Sequence, residues 1–310
     1  MTMQIKNVEF ISSGSMCRGL HFEPEIDSLT SQTGIPCVVM AHGFGGTRNA
    51  GLEPYARRFS AAGMHVLVFD YRHFGESEGE PRQLLSIRRQ LKDWMAAVSF
   101  ARSLAGVDPG RIALFGTSFS GGHVIEVAVR DGSVAAVISQ CPMMDGLAAI
   151  KSLLSYAGVG SMLLMTWAGV RDLVRSLVGM GPLMMPIVAQ PGNLAAMSTP
   201  DAEPGYMAIA PPDYRNEVCA RIGLTVGMYR PGLKADRLPC PILIQITEKD
   251  SVAPPEAAEA AARRAGNRAQ VRRYPIGHFD IYVGEDFERS VADQVEFLTD
   301  TLAPETAAKK

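Results

Sequence analysis

The stretch that most constrains this chain is Arg111-Ile-Ala-Leu-Phe-Gly-Thr-Ser-Phe-Ser-Gly-Gly-His-Val-Ile-Glu-Val-Ala-Val-Arg130. It opens as a short apolar run, Ile112 to Phe115, between Pro109-Gly110 and Gly116, the pattern of a strand buried on both faces. It closes as a helix, with Val124, Val127 and Ala128 at helical spacing. Only residues 116–120 lie between, so the chain must turn sharply and needs small residues around the turn. Gly116, Ser120, Gly121 and Gly122 supply them. The apex residue, Ser118, is thrust out on a strained turn at a helix N-terminus, with its hydroxyl exposed and an adjacent N–H able to face a developing negative charge. This is the G-x-S-x-G nucleophile elbow with Ser120 in place of the last glycine. Taken alone, the pentapeptide also fits a chemically silent strand-to-helix turn.

At 310 residues, 47% hydrophobic and 20% charged, the chain is long and apolar enough for a substantial core. A net charge of -2 gives no electrostatic drive toward nucleic acid or anionic membrane. The five cysteines, at 17, 37, 141, 219 and 240, show neither C-x-x-C nor metal-ligand spacing. With no apolar core of signal-peptide length at the N-terminus, they suit a reducing cytoplasm. The most apolar region, 157–188, is interrupted by Arg171, Asp172, Arg175, Pro182 and Pro186, so no transmembrane helix and no membrane insertion are expected.

The pattern predicts a hairpin over 8–22, a strand at 36–41, a helix at 52–62, a strand at 64–69 and a long helix at 83–104. The elbow strand and helix follow, then a strand at 134–139. After Cys141-Pro142 the β/α rhythm stops. Residues 142–235 read as a mainly helical, Met-rich insertion with few charges. The rhythm resumes with a strand at 241–246, a helix at 255–264, a strand at 270–274 and a helix at 287–302. The expected organisation is therefore an α/β core built from 1–141 and 236–302, a cap over 142–235 and a flexible tail at 303–310. Alternating, continuously apolar strands imply a mostly parallel sheet flanked by helices.

A serine hydroxyl needs a base to act as a nucleophile, and the base needs an orienting acid. On this kind of elbow the order is Ser, then Asp or Glu, then His. Of the six histidines, only His123 and His278 follow Ser118. His123 lies five residues down the same helix and cannot turn back to the elbow. His278, beside Gly277 in a loop after the last strand, remains. Asp250, just after the 241–246 strand, is the preferred acid; Asp145 is its rival and Glu248 a third choice. The oxyanion that forms on carbonyl attack needs preplaced donors. The N–H of Phe119 and the N–H of Phe44, in the loop His42-Gly-Phe-Gly-Gly46, are the candidates. That loop fits neither G-x-G-x-x-G nor the P-loop, and His42 reads as a residue that fixes it.

These pieces together resemble the α/β-hydrolase superfamily, and within it the bacterial esterase, dienelactone-hydrolase-like and serine-aminopeptidase-like members. The matching segments are His42-Gly-Phe-Gly-Gly46, Asp70-Tyr-Arg-His-Phe-Gly-Glu-Ser77, the Asp93-Trp94 helix, the elbow, Glu248-Lys-Asp-Ser-Val-Ala-Pro254 and Gly277-His278. The resemblance implies a Ser118–His278–Asp250 triad, no cofactor and no metal. It also implies that Asp70, Arg72, Glu76 and Ser77 brace loops, and that the insertion is a cap. The expected activity is hydrolysis of small to medium, largely apolar carboxylic esters. An aminopeptidase, amidase or thioesterase on the same triad and a non-catalytic binding protein are the alternatives. Ser118 excludes haloalkane dehalogenation, which wants an aspartate there. Met162, Met165 and Trp167 are cap candidates for substrate contact. The same apolar side chains could instead pack the cap on the core or on a second copy of the chain.

Overall fold

The structure, a computed structural model, describes residues 4–304. Residues 1–3, and 305–310 of the expected tail, lie outside the described residues. Strands β1 (Ile5–Ser12) and β2 (Ser15–Phe22) form an antiparallel hairpin that leads into β3 (Ile35–Ala41). Helix α1 (Glu53–Ala61), β4 (His65–Phe69), α2 (Ile87–Ser103), β5 (Val107–Thr117), α3 (Phe119–Asp131) and β6 (Ala136–Gln140) follow. After the insertion come β9 (Ile242–Thr247), α6 (Pro255–Ala265), β10 (Ala269–Tyr274) and α7 (Gly284–Thr301). These strands make one eight-stranded sheet in the order β1-β2-β4-β3-β5-β6-β9-β10. It is parallel from β4 to β10; β2 runs antiparallel to both neighbours.

The sheet has a core on each face. Leu91, Trp94 and Val98 of α2, Val124 and Val127 of α3, and Ala258 and Ala261 of α6 pack on one. Tyr55 and Phe59 of α1 and Val291 and Leu298 of α7 pack on the other. Strands covered on both sides have no solvent face to fill with polar residues, which is why β3, β4, β6 and β9 are mostly apolar along their length. One polar chain crosses this core. Gln294 donates to Gln140 (2.7 Å) and to Gln245 (2.5 Å), Gln140 donates to the Thr117 hydroxyl (3.1 Å), and Gln245 donates to Tyr274 (2.8 Å). It ties α7 to the strand ends directly beneath the elbow.

The boundary of α2 differs from the sequence reading. The helix starts at Ile87, not Gln83, because Gln83 takes a positive φ of 60° and its chain is used elsewhere. Its N–H donates to the His73 carbonyl (2.8 Å), and its side chain donates to the Glu217 carbonyl (2.8 Å).

Between β6 and β9 lie α4 (Gly146–Leu177), a two-stranded ribbon of β7 (Met184–Met185) and β8 (Val218–Cys219), and α5 (Ala202–Ile209). Short 3₁₀ turns complete the segment. Gly158 (φ 73°, ψ 171°) breaks the helical path of α4. Beyond it the helix runs on through Arg171, Asp172 and Arg175. By length and composition α4 is apolar enough to cross a membrane. It is nevertheless fastened along the protein. Asp172 is fully buried and accepts from the N–H of Leu183 (2.8 Å) and from the Arg221 guanidinium (2.6 Å). Gly169 lets the helix close on Leu224, whose side chain would lie 2.9 Å from a Cβ there.

Candidate active site

Ser118 sits between β5 and α3 with φ 55° and ψ -120°, a left-handed conformation that a residue with a side chain adopts only under strain. The surroundings enforce it. A Cβ on Gly116 would lie 2.1 Å from the Ser120 carbonyl oxygen, and one on Gly121 would lie 2.7 Å from Pro142. The Ser118 carbonyl accepts from the N–H of Gly121 and of Met143, both at 2.9 Å. Ser120, where the motif has glycine, is fully buried and shares a hydrogen bond with the Tyr71 hydroxyl (2.9 Å), which also accepts from the Trp94 indole (2.8 Å).

His278 lies beyond the carboxyl end of β10, buried, with Nε2 3.0 Å from Ser118 Oγ. Its Nδ1 is 2.6 Å from Asp250 Oδ2, beyond the end of β9. Asp250 is held on every side: it accepts from Thr247 Oγ1 (2.8 Å) and from the N–H groups of Val252 (2.8 Å) and Ala253 (2.7 Å). The rival acids lie elsewhere. Asp145 caps the N-terminus of α4, accepting from Leu147 N–H (2.9 Å), and pairs with Arg230 (2.8 Å). Glu248 is exposed. His123 is buried against the Tyr229 hydroxyl (2.7 Å) and Gln90 (3.0 Å), and burial depresses its pKa to about 3. His42 turns Nδ1 to the Gly43 carbonyl (3.0 Å) and burial depresses its pKa to about 4.

The loop after β3 comes down onto Ser118. A Cβ on Gly43 would lie 3.0 Å from the Ser118 Cβ, so glycine allows that approach. Phe44 and Phe119 meet edge to face, with centroids 5.5 Å apart. Among the described residues no acceptor takes up the N–H of Phe44 or of Phe119. Tyr206 of α5 donates to the Phe44 carbonyl (3.0 Å) and so holds the Phe44–Gly45 peptide, the one that follows the peptide carrying the Phe44 N–H. This residue escaped the sequence reading, because nothing local marks a tyrosine of the 142–235 segment as a partner of a loop 162 residues away. The bracing side chains are paired: Asp70 with Arg48, Arg72 with Asp93 (2.6 Å), Glu76 with Arg48 (2.7 Å), and Ser77 Oγ with the Asp70 carbonyl (2.7 Å).

Two pockets meet at Ser118. The larger is apolar and lined by Met143, Ile150, Leu153, Met162, Met165 and Met197, among others. The smaller is bordered by His278, Tyr206, Phe279 and Tyr282. Met162 and Met165 therefore reach the larger pocket. Trp167 does not, which corrects its place among the substrate-contact candidates. It points outward, 57% exposed, with the Arg171 guanidinium 4.4 Å over its ring. Among the described residues no group of three His, Cys, Asp or Glu side chains is placed to hold a metal ion.

A parallel sheet with a strained serine elbow, and a histidine and an aspartate on later strand ends, is the α/β-hydrolase arrangement. Residues 35–283 match the family described as serine aminopeptidase, S33, and the chain belongs to that α/β-hydrolase family. It is 44% identical over 294 residues to the quorum-quenching protein AidA of Acinetobacter baumannii, covering 94% of this chain and 93% of the relative. It is 29% identical over 283 residues to the thiohydrolase aneE of Aspergillus aculeatus, covering 88% of each. The crystal structure of the α/β hydrolase GrgF from a Penicillium species superposes with a TM-score of 0.77 at 22% identity, over 96% of this chain and 99% of that one. The protein is an enzyme of the hydrolase class.

Proposed function

We propose that this hydrolase cleaves esters of largely apolar acyl groups through an acyl-enzyme on Ser118, with His278 as general base and Asp250 as its orienting acid. The observation that carries the reading is the unbroken hydrogen-bonded chain Ser118–His278–Asp250, whose Ser118 opens into an apolar pocket. As Oγ bonds to the carbonyl carbon, its proton passes to Nε2. The carbonyl oxygen becomes an oxyanion facing the free N–H groups of Phe44 and Phe119. The tetrahedral intermediate collapses by breaking the bond to the leaving oxygen, which takes the proton from Nε2. Water then repeats the sequence and releases the acid. Because His278 must reach the leaving oxygen, the small pocket that it borders suits the leaving group, and the Met-rich pocket suits the acyl chain. A fluorophosphonate probe is expected to label the protein once, on Ser118, and to leave Ser118→Ala unlabelled. Labelling that survives the substitution overturns the mechanism.

A second reading rests on Asp201, whose Oδ1 accepts from Thr199 (2.8 Å) and Ser251 (2.5 Å), two residues at the edge of the acyl pocket. A carboxylate there could meet a substrate amine, as an aminopeptidase requires. The relative named a thiohydrolase adds thioesters, and the one named quorum-quenching adds small signal molecules, to the classes worth testing. A panel of open-chain esters, cyclic esters, thioesters and aminoacyl amides separates these. A preference in kcat/KM for aminoacyl amides moves the assignment to an aminopeptidase.

A further inference from the structure

The outward face of α4 has no partner among the described residues. Beyond Gly158, the residues turned to the body are Ala168, Gly169 and Asp172, all buried. The residues turned away are Leu163, Trp167, Val170, Val174 and Leu177, which are 65%, 57%, 47%, 53% and 77% exposed. Their spacing is four, three, four, three, the alternation of a helix-to-helix seam whose side chains insert as knobs into the holes of a facing helix. Val159, Leu164 and Val178 flank it, also mostly exposed. Together these side chains present on the order of 800 Å² of surface, the amount each partner gives to a standard specific interface. A patch of that size exceeds what a monomer ordinarily leaves to water.

We propose that this face packs against the same face of a second copy of the chain, making a two-fold dimer across α4. A two-fold axis brings a patch onto itself, so the patch must be self-complementary. A seam with no acidic or basic side chain at its five central positions meets that condition. A lipid surface is the other candidate cover, and the charge pattern does not favour it. Surface-binding helices draw on clusters of basic side chains. Here Arg171 is spent over the Trp167 ring and Arg175 donates to the Gly181 carbonyl (2.8 Å). The inward side of the same helix carries Met162 and Met165 of the large pocket. The second copy therefore clamps a wall of that pocket from behind.

Val170 is the midpoint of the seam, so the two-fold brings Val170 onto its symmetry mate whichever way the helices run. All five native cysteines are buried. Under mild oxidation Val170→Cys is expected to give a disulfide-linked dimer. Ile11→Cys, on the distant edge strand and also exposed, is expected to give none. In sedimentation velocity the full chain is expected at twice its 33.4 kDa mass. The double variant Leu163→Glu/Val174→Glu is expected at one times that mass, with an unchanged far-ultraviolet circular dichroism spectrum. A wild type that stays monomeric at tens of micromolar overturns the proposal, as does a double variant that remains dimeric. So does a wild type that floats with phosphatidylcholine/phosphatidylserine vesicles as a monomer. If the double variant fails to fold, the Val170→Cys and Ile11→Cys pair still decides.

Discussion

The loop that carries the Phe44 N–H is held one peptide further on, at the Phe44 carbonyl. Tyr206 donates to that carbonyl, and a Cβ on Gly45 (φ 68°) would lie 2.4 Å from Ile187, so the loop has one way to lie. Tyr206 acts on the Phe44–Gly45 peptide, next to the one that carries the N–H, and touches no reacting atom, which makes it a positioning residue. Tyr206→Phe keeps the ring and removes one hydrogen bond, worth about 0.5–1.5 kcal/mol net. The expected result is up to about a tenfold fall in kcat with KM little changed, read from steady-state kinetics on one ester. A rise in KM at constant kcat would instead make the tyrosine a packing residue. The two aspartates give a sharper contrast. Asp250→Asn disturbs the tautomer of His278 and should cost about 10⁴-fold in kcat. Asp145→Ala removes a helix cap, about 1 kcal/mol of stability in urea unfolding, and should leave kcat in place. The reverse ranking would put the acid after β6.

At the scale of elements, what the sequence disclosed and what it hid have separate physical causes. The central strands were legible because burial on both faces makes them mostly apolar runs, and Ser118 and Asp250 could be singled out because each follows such a run; His278 follows the mixed edge strand β10 and was reached by chain order among the histidines. The start of α2 was not legible, since contacts between Gln83 and residue 217 override a favourable helical pattern. In α4 apolar residues occur on every side, so periodicity shows which residues share a face and not which face is inward. Small residues, Ala168 and Gly169, and the single buried carboxylate, Asp172, mark the docked side, and Trp167 falls opposite. The pocket face of the same helix carries a testable consequence. Each methylene buried against Met162, Met165 and Leu153 should add up to about 0.8 kcal/mol, or roughly fourfold in kcat/KM, until the pocket is full. From acetyl to octanoyl esters kcat/KM should climb and then level off. Met162→Trp should bring the levelling point to a shorter chain. A flat series in both proteins would mean that the acyl group lies elsewhere.

Across the whole molecule, buried histidines couple the fold to pH. Burial depresses His21, His42 and His73 to about 4 and His123 to about 3. His21 stacks on His65, with Nε2 3.0 Å from Nδ1, so a proton on either ring would face the other, with Glu23 and Lys6 as the nearby charges. These groups sit on β2, in the loops after β3 and β4, and in α3. Unfolded, each returns to about 6.5. The unfolded chain therefore binds more protons than the folded one between about pH 6.5 and pH 4, and stability rises with pH across that window. It is fully present above about pH 6.5 and drains away as pH falls toward 4, ahead of the range where ordinary carboxylates titrate. The urea midpoint should accordingly hold steady near neutrality and fall progressively below about pH 6.5. His21→Gln, which removes one of the suppressed sites, should make that fall shallower. A midpoint that stays constant down to about pH 4.5 would mean that these imidazoles keep ordinary proton affinity in the folded chain, through water that reaches them or through breathing of the hairpin and loops.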